Sequence, residues 1–232
     1  MNNIVIAGIG TGVGKTVVAA IVTEALEADY WKPVQAGNLD YTDTDFVKDH
    51  ISNTRSFFHP ETYRLIQPMS PHVAVKTDGV EIELNKLSLP ETSNRLIIEL
   101  AGGLMVPLNK RQLNIDLLEQ WNLPVILVSQ NYLGSINHTL LSVEILRSCE
   151  IHLHGIIFNG EGQEATEKFI IDYTGTKRIG RINLQKKVTK RNGEAICRGI
   201  KRKTERVISL SLCTHSKQTV YQNRTTCVMR SI

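Results

Sequence analysis

Cysteine is scarce in this 232-residue chain: Cys149, Cys197, Cys213 and Cys227 are the only four, and no two form a Cys-x-x-Cys pair. That spacing excludes a disulfide framework and the common zinc and thiol-redox motifs, and it fits a reduced, cytoplasmic setting. Cys149 closes a helical pattern and reads as a small buried apolar residue. There is no run of about 18 apolar residues, so no membrane span is expected. An apolar strand pattern begins almost at residue 1, and no signal peptide is expected. Internal repeats are absent. The length suits one α/β domain with a sizeable core.

Acidic charge is almost missing from the last fifth of the chain. Residues 187–232 carry eleven Lys/Arg against Glu194 and Glu205, a net +9. The overall net charge is +4, which leaves residues 1–186 at −5. A mildly acidic body argues against nucleic acid as the main partner. The tail holds three of the four cysteines and none of the seven prolines, and no sustained helical or strand period follows Val188. Two segments are therefore expected: residues 1–186 as one domain and 187–232 as an atypical basic tail, disordered or frame-shifted. Three readings of the tail stand: a shifted reading frame near 186–192, a solvated basic extension, or a tail for nucleic acid or another acidic partner.

What is present is more telling. Gly8-Ile9-Gly10-Thr11-Gly12-Val13-Gly14-Lys15-Thr16 follows the apolar run Ile4-Val5-Ile6-Ala7. A strand that enters a glycine-rich turn ending in Gly-Lys-Thr, and then opens a helix, is the context of a phosphate-binding loop. Glycines let backbone N–H groups close on phosphate oxygens, and the helix N-terminus adds partial positive charge. Five residues separate Gly8 from Gly14, one more than usual. Gly12, Val13, Gly14, Lys15, Thr16 and Val17 are the expected nucleotide-binding residues. Lys15 suits the β- and γ-phosphates and Thr16 suits Mg²⁺. Thr11 either donates to phosphate or substrate, or stabilises the turn.

Strand patterns fall at 3–7, 30–34, 95–99, 125–129, 155–159 and 178–182, with helical patterns at 15–28, 44–51, 113–121, 136–148 and 164–173 between them. The alternation predicts an α/β fold: a mainly parallel sheet with helices on both faces. Ligands then gather at the carboxyl ends of the strands, where the loop, Lys32, Glu99, Ser129 and Asn159 all fall. Residues 55–89 read as a loop-rich insertion. Lys32 ends an apolar strand just before Pro33. Glu99 ends another, where an unpartnered acid is costly, so it is expected to bind Mg²⁺ or to hydrogen-bond the neighbouring glycine turn.

Lys32-Pro33-Val34-Gln35-Ala36-Gly37, one βα unit after the loop, begins a resemblance. Glu99-Leu100-Ala101-Gly102-Gly103 with Val106-Pro107-Leu108, then 123–128 (Leu-Pro-Val-Ile-Leu-Val), then Leu133-Gly134-Ser135-Ile136-Asn137-His138 extend it over about residues 1–186. The chain resembles the dethiobiotin synthetases, ATP-dependent enzymes of the P-loop NTPase fold that act in biotin synthesis. The resemblance implies ATP as co-substrate, Mg²⁺, 7,8-diaminopelargonate and CO₂ as substrates, and a homodimer with the substrate site at its interface. It implies that Lys32 holds the carbamate and the γ-phosphate, with Lys15 as the other catalytic lysine. Thr16, Glu99 and one aspartate after a Ser or Thr would hold Mg²⁺. Thr42-Asp43 and Thr44-Asp45 both fit, and Asp43 is favoured because it leaves Phe46, Val47 and Ile51 as the next helix's apolar stripe.

By the same resemblance, the helix start at Gly134 and Asn137 takes the substrate's distal carboxylate, the alternative being a plain Ser135 cap. Asn159 reads the adenine edge, the alternative being a turn residue. Ser70-Pro71-His72 matches a family segment near the diamine, and His72 is given no catalytic role. The chain departs from the family at Leu100, which stands for a glycine and would be strained at positive φ. It departs also at Ala36, often Ser or Thr, and at Gly180-Arg181-Ile182-Asn183, which lacks a proline. Competing readings are a partitioning or amidotransferase-type ATPase of the same fold and a non-catalytic ATP-binding module. Gly10, where the partitioning ATPases carry a signature lysine, counts against the first.

Overall fold

The computed structural model describes residues 3–67, 71, 73 and 78–183. The basic segment 187–232 and the residues Ser70 and His72 lie outside these. The elements in chain order are β1 (Ile4–Gly8), α1 (Lys15–Leu26), β2 (Asp29–Trp31), β3 (Val34–Ala36), α2 (Asp43–His50), β4 (Phe58–His59) and β5 (Tyr63–Leu65). A short 3-10 turn (Leu84–Lys86) follows. Then come β6 (Leu96–Gly103), α3 (Asn114–Trp121), β7 (Val125–Gln130), α4 (Ser135–Ser148), β8 (Leu153–Asn159), α5 (Glu164–Thr174) and β9 (Arg178–Ile182).

Among the described residues, seven strands form one sheet in the order β4-β2-β6-β1-β7-β8-β9, and every pairing in it is parallel. Strands buried on both faces need apolar residues at every position, and β1 and the first four residues of β7 supply them. One face packs Ile4, Ile6, Tyr30, Ile97 and Ile126 against α1 and Val47 of α2. The other packs Val5, Trp31, Ile98, Leu127 and Phe158 against α3, α4 and α5.

β1 and β6 are neighbours, yet the chain leaves them on opposite faces, through α1 after β1 and through α3 after β6. That reversal opens a crevice at their carboxyl ends, the usual ligand position in such sheets. The phosphate-binding loop follows β1, and Glu99 lies in β6.

Two expectations need correction. The strand pattern 30–34 is two strands. Pro33 has no N–H to give and fixes its own φ, so β2 stops at Trp31 and β3 leaves to pair with β5 in a separate two-stranded sheet. The loop-rich insertion at 55–89 contains β4, which adds to the main sheet beside β2, and β5. Runs of two and three residues carry no legible alternation.

Candidate active site at the phosphate-binding loop

The loop is built on left-handed glycines. Gly12 and Gly14 have φ of 74° and 92°. Gly14 is also the N-cap of α1, which has no side-chain cap, so its first amides are left for an anion. A Cβ on Gly14 would lie 2.1 Å from Nδ2 of Asn159. That nitrogen donates to the carbonyl of Val13 at 3.0 Å, so the end of β8 braces the loop from behind. Lys15 folds back, its Nζ donating to the Gly10 carbonyl at 2.9 Å. Burial, then the neighbouring Lys32, lower its pKa to about 8 against the pull of Glu99 and Asp43.

Beside the loop, β2, β6, α1 and α2 each contribute to one charged cluster. Lys32, 4% exposed, places Nζ 2.6 Å from Oδ2 of Asp43 and 2.9 Å from Oε1 of Glu99. The same Oε1 accepts from Thr16 Oγ1 at 2.9 Å. Glu99 is 1% exposed, and its Oε2 accepts from Tyr30 O–H at 2.8 Å. Burial works against the Lys32 ammonium, but Glu99 and Asp43 outweigh it and hold its pKa above the ordinary value. Burial, then Glu99, pushes the Tyr30 phenol well above its ordinary value, so it stays a donor.

Thr42 caps α2. Its hydroxyl accepts from the Asp45 amide at 3.1 Å, while Asp45 Oδ2 accepts from the Thr42 amide at 2.9 Å. This capping box turns Asp45 back on its own helix and leaves Asp43 facing Lys32. Lys32, Asp43, Glu99, Lys15 and Thr16 line a cavity of about 670 Å³, together with Thr11, Gly12, Gly14, Val17, Gln35, Ala36 and Gly102. Its floor carries two carboxylates and a hydroxyl, hard oxygen donors beside a loop made for phosphate.

A family model described as an AAA domain matches residues 2–192. Among curated proteins, the ATP-dependent dethiobiotin synthetase of Christiangramia forsetii is 52% identical over 177 residues, 76% of this chain and 85% of that protein. Its counterpart in Cytophaga hutchinsonii is 48% identical over 82% of this chain and 92% of the relative. The chain belongs to the dethiobiotin synthetase family. Solved structures resemble it more distantly. The septum site-determining protein MinD of Pyrococcus horikoshii, complexed with Mg-ADP, matches at 13% identity and a TM-score of 0.54 over 94% of this chain and all of that one. The MinC:MinD complex of Aquifex aeolicus matches at 16% and 0.54 over 97% and 99%. Likeness at that identity speaks for the fold alone.

Not every site residue expected from the family resemblance meets at this cavity. Val13 is buried beneath the loop, and Asn159 spends its amide nitrogen on it. Gly134 and Asn137 sit at the start of α4, away from the lining. There Gly134, at φ 98°, is the N-cap and Ser135 is already helical, which corrects the reading of Ser135 as the cap. The strain foreseen at Leu100 does not arise. Leu100 is an ordinary strand residue of β6, 1% exposed, and the positive φ falls on Gly102. A Cβ on Gly102 would meet Val106 Cγ2 at 2.8 Å. Asn114 pins this turn, its Nδ2 donating to the Ala101 and Gly103 carbonyls at 2.6 and 2.8 Å.

Tyr30, Gln35 and Asn114 were not anticipated as site residues. For Tyr30 a signal existed: in an extended strand it shares a face with Lys32 two residues on. Gln35, inside the quoted motif, donates to the Gly37 carbonyl at 2.9 Å and accepts from the Asp43 amide at 3.4 Å, tying β3 to the start of α2.

Proposed function

We propose that this chain is an ATP-dependent dethiobiotin synthetase that carboxylates 7,8-diaminopelargonate with CO₂ and closes the ureido ring. The observation that carries the reading is the Lys32–Asp43–Glu99 cluster against the phosphate-binding loop, in a chain 52% identical to a protein of that name. An amine of the diamine adds to CO₂ and gives a carbamate with loss of a proton. The carbamate oxygen attacks the γ-phosphorus of ATP, and ADP leaves. The second amine attacks the carbonyl of the mixed anhydride, phosphate and the amine's proton leave, and the ring closes. Such steps need positioning and charge neutralisation more than a strong base.

Lys15 and the loop amides hold the phosphates, and Lys32 bridges the carbamate and the γ-phosphate. Thr11 faces the same cavity and is placed to donate to phosphate or substrate. With Asn159 Nδ2 committed to Val13, its Oδ1 is the atom left to accept from the base's amino group.

Thr16, Asp43 and Glu99 are a donor set suited to Mg²⁺. No three His, Cys, Asp or Glu among the described residues are grouped to hold a metal by themselves, so a Mg²⁺ held here would draw its remaining ligands from phosphate and water. The chemistry it would supply there is neutralisation of charge on the transferring phosphoryl group.

A homodimer with Gly134 and Asn137 of one copy at the distal carboxylate of the other's substrate is supported by apolar exposure just before that turn and further along α4. Leu133 is 103% exposed and Leu141 60%. ATP as co-substrate supports a cytoplasmic setting. No helix among the described residues is long and apolar enough to cross a membrane.

The test gives the purified chain diaminopelargonate, isotope-labelled bicarbonate, Mg²⁺ and ATP, and looks for labelled dethiobiotin by mass spectrometry. Labelled product is expected. Its absence from a folded chain that binds ATP overturns the assignment.

A further inference from the structure

Glu99 has partners on two sides that differ in kind. Oε1 accepts from Thr16 and Lys32, which line the cavity. Oε2 accepts from Tyr30 alone among the hydrogen bonds of the described residues, at 2.8 Å, and Tyr30 is not part of the lining. The phenol is fully buried in the middle of β2, within the apolar cluster that holds Val22 and Val47 and with its ring centroid 6.2 Å from that of Phe58. Its backbone is paired with Ile97, two residues before Glu99 on the neighbouring strand. Tyr30 therefore forms the layer beneath Lys32, and its hydroxyl reaches the cluster from below.

We infer that Tyr30 is a positioning residue: its hydroxyl sets the rotation of the Glu99 carboxylate so that Oε1 faces Thr16, Lys32 and the divalent cation. The terminal torsion of a glutamate is broad, with no steep preference of its own. A donor on a rigid strand, with its ring locked by packing, removes that freedom before the ligand arrives. Removing the hydroxyl leaves a buried carboxylate oxygen without a partner, and the group then turns to share its remaining donors.

The inference rests on the reading of Glu99 as a cation ligand, so the test separates the two. Mn²⁺ is titrated into the ADP-bound protein and followed by electron paramagnetic resonance. The wild-type chain is expected to bind Mn²⁺; if it does not, the cation reading fails first. Tyr30→Phe keeps the ring and is expected to weaken Mn²⁺ binding about tenfold, while metal-free ADP affinity stays within twofold. The Mg²⁺ concentration for half-maximal turnover rises by the same factor, and KM for the diamine holds. Tyr63→Phe is the control. Tyr63 is another buried phenol, whose oxygen accepts from the Glu83 amide at 3.0 Å away from the cavity. Its loss lowers Tm without changing Mn²⁺ affinity.

Glu99→Asp draws the carboxylate away from the phenol, and adding Tyr30→Phe to it is expected to cost less than twofold more. Unchanged Mn²⁺ affinity in folded Tyr30→Phe overturns the inference. An equal loss in Tyr63→Phe overturns it too, because the effect would then be one of general stability.

Discussion

Nζ of Lys32 lies 2.6 Å from Oδ2 of Asp43, which joins the end of β2 to the first turn of α2 across the mouth of the phosphate-binding cavity. The same ammonium is the only cation hydrogen-bonded to the buried Glu99 among the described residues. Lys32 therefore has a structural duty as well as the proposed chemical one. Lys32→Met is expected to lower turnover by about 100- to 1,000-fold, the range for losing one preorganised donor. It also strands a buried carboxylate, at about 3 kcal/mol. Lys32→Met combined with Glu99→Gln removes that charge, so thermal stability recovers while turnover does not. Turnover that returned with stability would show Lys32 to be structural only.

Asp43 and Asp45 are two residues apart and do different work. Asp45 closes the capping box on Thr42, and the Thr42 hydrogen bonds lower its pKa. Asp45→Ala is expected to cost about 1 kcal/mol of stability and little turnover. Asp43→Asn is expected to cut turnover about 100-fold and to raise the Mg²⁺ requirement. Steady-state kinetics across a Mg²⁺ series decide, and the opposite pattern would move the metal role to Asp45.

The sequence singled out most of the charged residues that meet at the cavity, but not what supports them. The loop, Lys32 and Glu99 were legible because each breaks a local rule: glycine density, a lysine just past one apolar strand, and an acid in another, which the structure continues to Gly103 rather than ending at Glu99. The parallel sheet was legible because its central strand β1 and the first four residues of β7 are apolar without alternation. Tyr30 obeys every local rule, since an aromatic residue in a strand needs no explanation; its place two residues before Lys32 put it on the right face, but only the 2.8 Å distance to Glu99 gives its hydroxyl a partner. The break at Pro33 was visible in the sequence. Its consequence was not, because the partner strand β5 is three residues long and lies in a segment without period. Asp43 could be preferred to Asp45 from the helical stripe alone, but the capping box that occupies Asp45 depends on side-chain geometry.

His154 offers a test far from the cavity, at the opposite end of β8 from Asn159. Burial first, then the positive charge of His152 and Lys177 nearby, lowers its pKa to about 4. Its Nε2 is buried without a hydrogen-bond partner among the described residues. In the unfolded chain the ring titrates near 6.5, so between about 6.5 and 4 the unfolded state binds the extra proton. Stability from this group is complete above 6.5 and is lost as pH falls towards 4. The ring is partly solvated, so about 1 kcal/mol of the full linkage is expected after screening. Thermal melts at pH 7.5 and 4.5 should show a smaller acid-induced drop in His154→Phe than in the wild type. Equal drops would mean that the ring is already protonated in the fold.

Gly14 and Asn159 lie 145 positions apart and meet behind the loop. At φ 92°, an alanine at position 14 carries about 1–2 kcal/mol of backbone strain. Its Cβ would also sit 2.1 Å from Asn159 Nδ2, forcing apart the bond that holds Val13. Gly14→Ala is expected to weaken ATP binding about 100-fold. Asn159→Ala loses the brace and weakens binding about tenfold, near the value of one buried hydrogen bond. The two faults share a cause, because shortening Asn159 also makes room for the new methyl. The double variant is therefore expected to bind ATP better than the product of the single losses, with a coupling of about 1 kcal/mol, and calorimetric titration measures it. Repeating the cycle with GTP separates the two roles of Asn159. A residue that only braces the loop weakens both nucleotides alike and couples to Gly14 with either. A residue that reads the base loses the preference for ATP in Asn159→Ala. Simple additivity with Gly14→Ala would place the brace elsewhere.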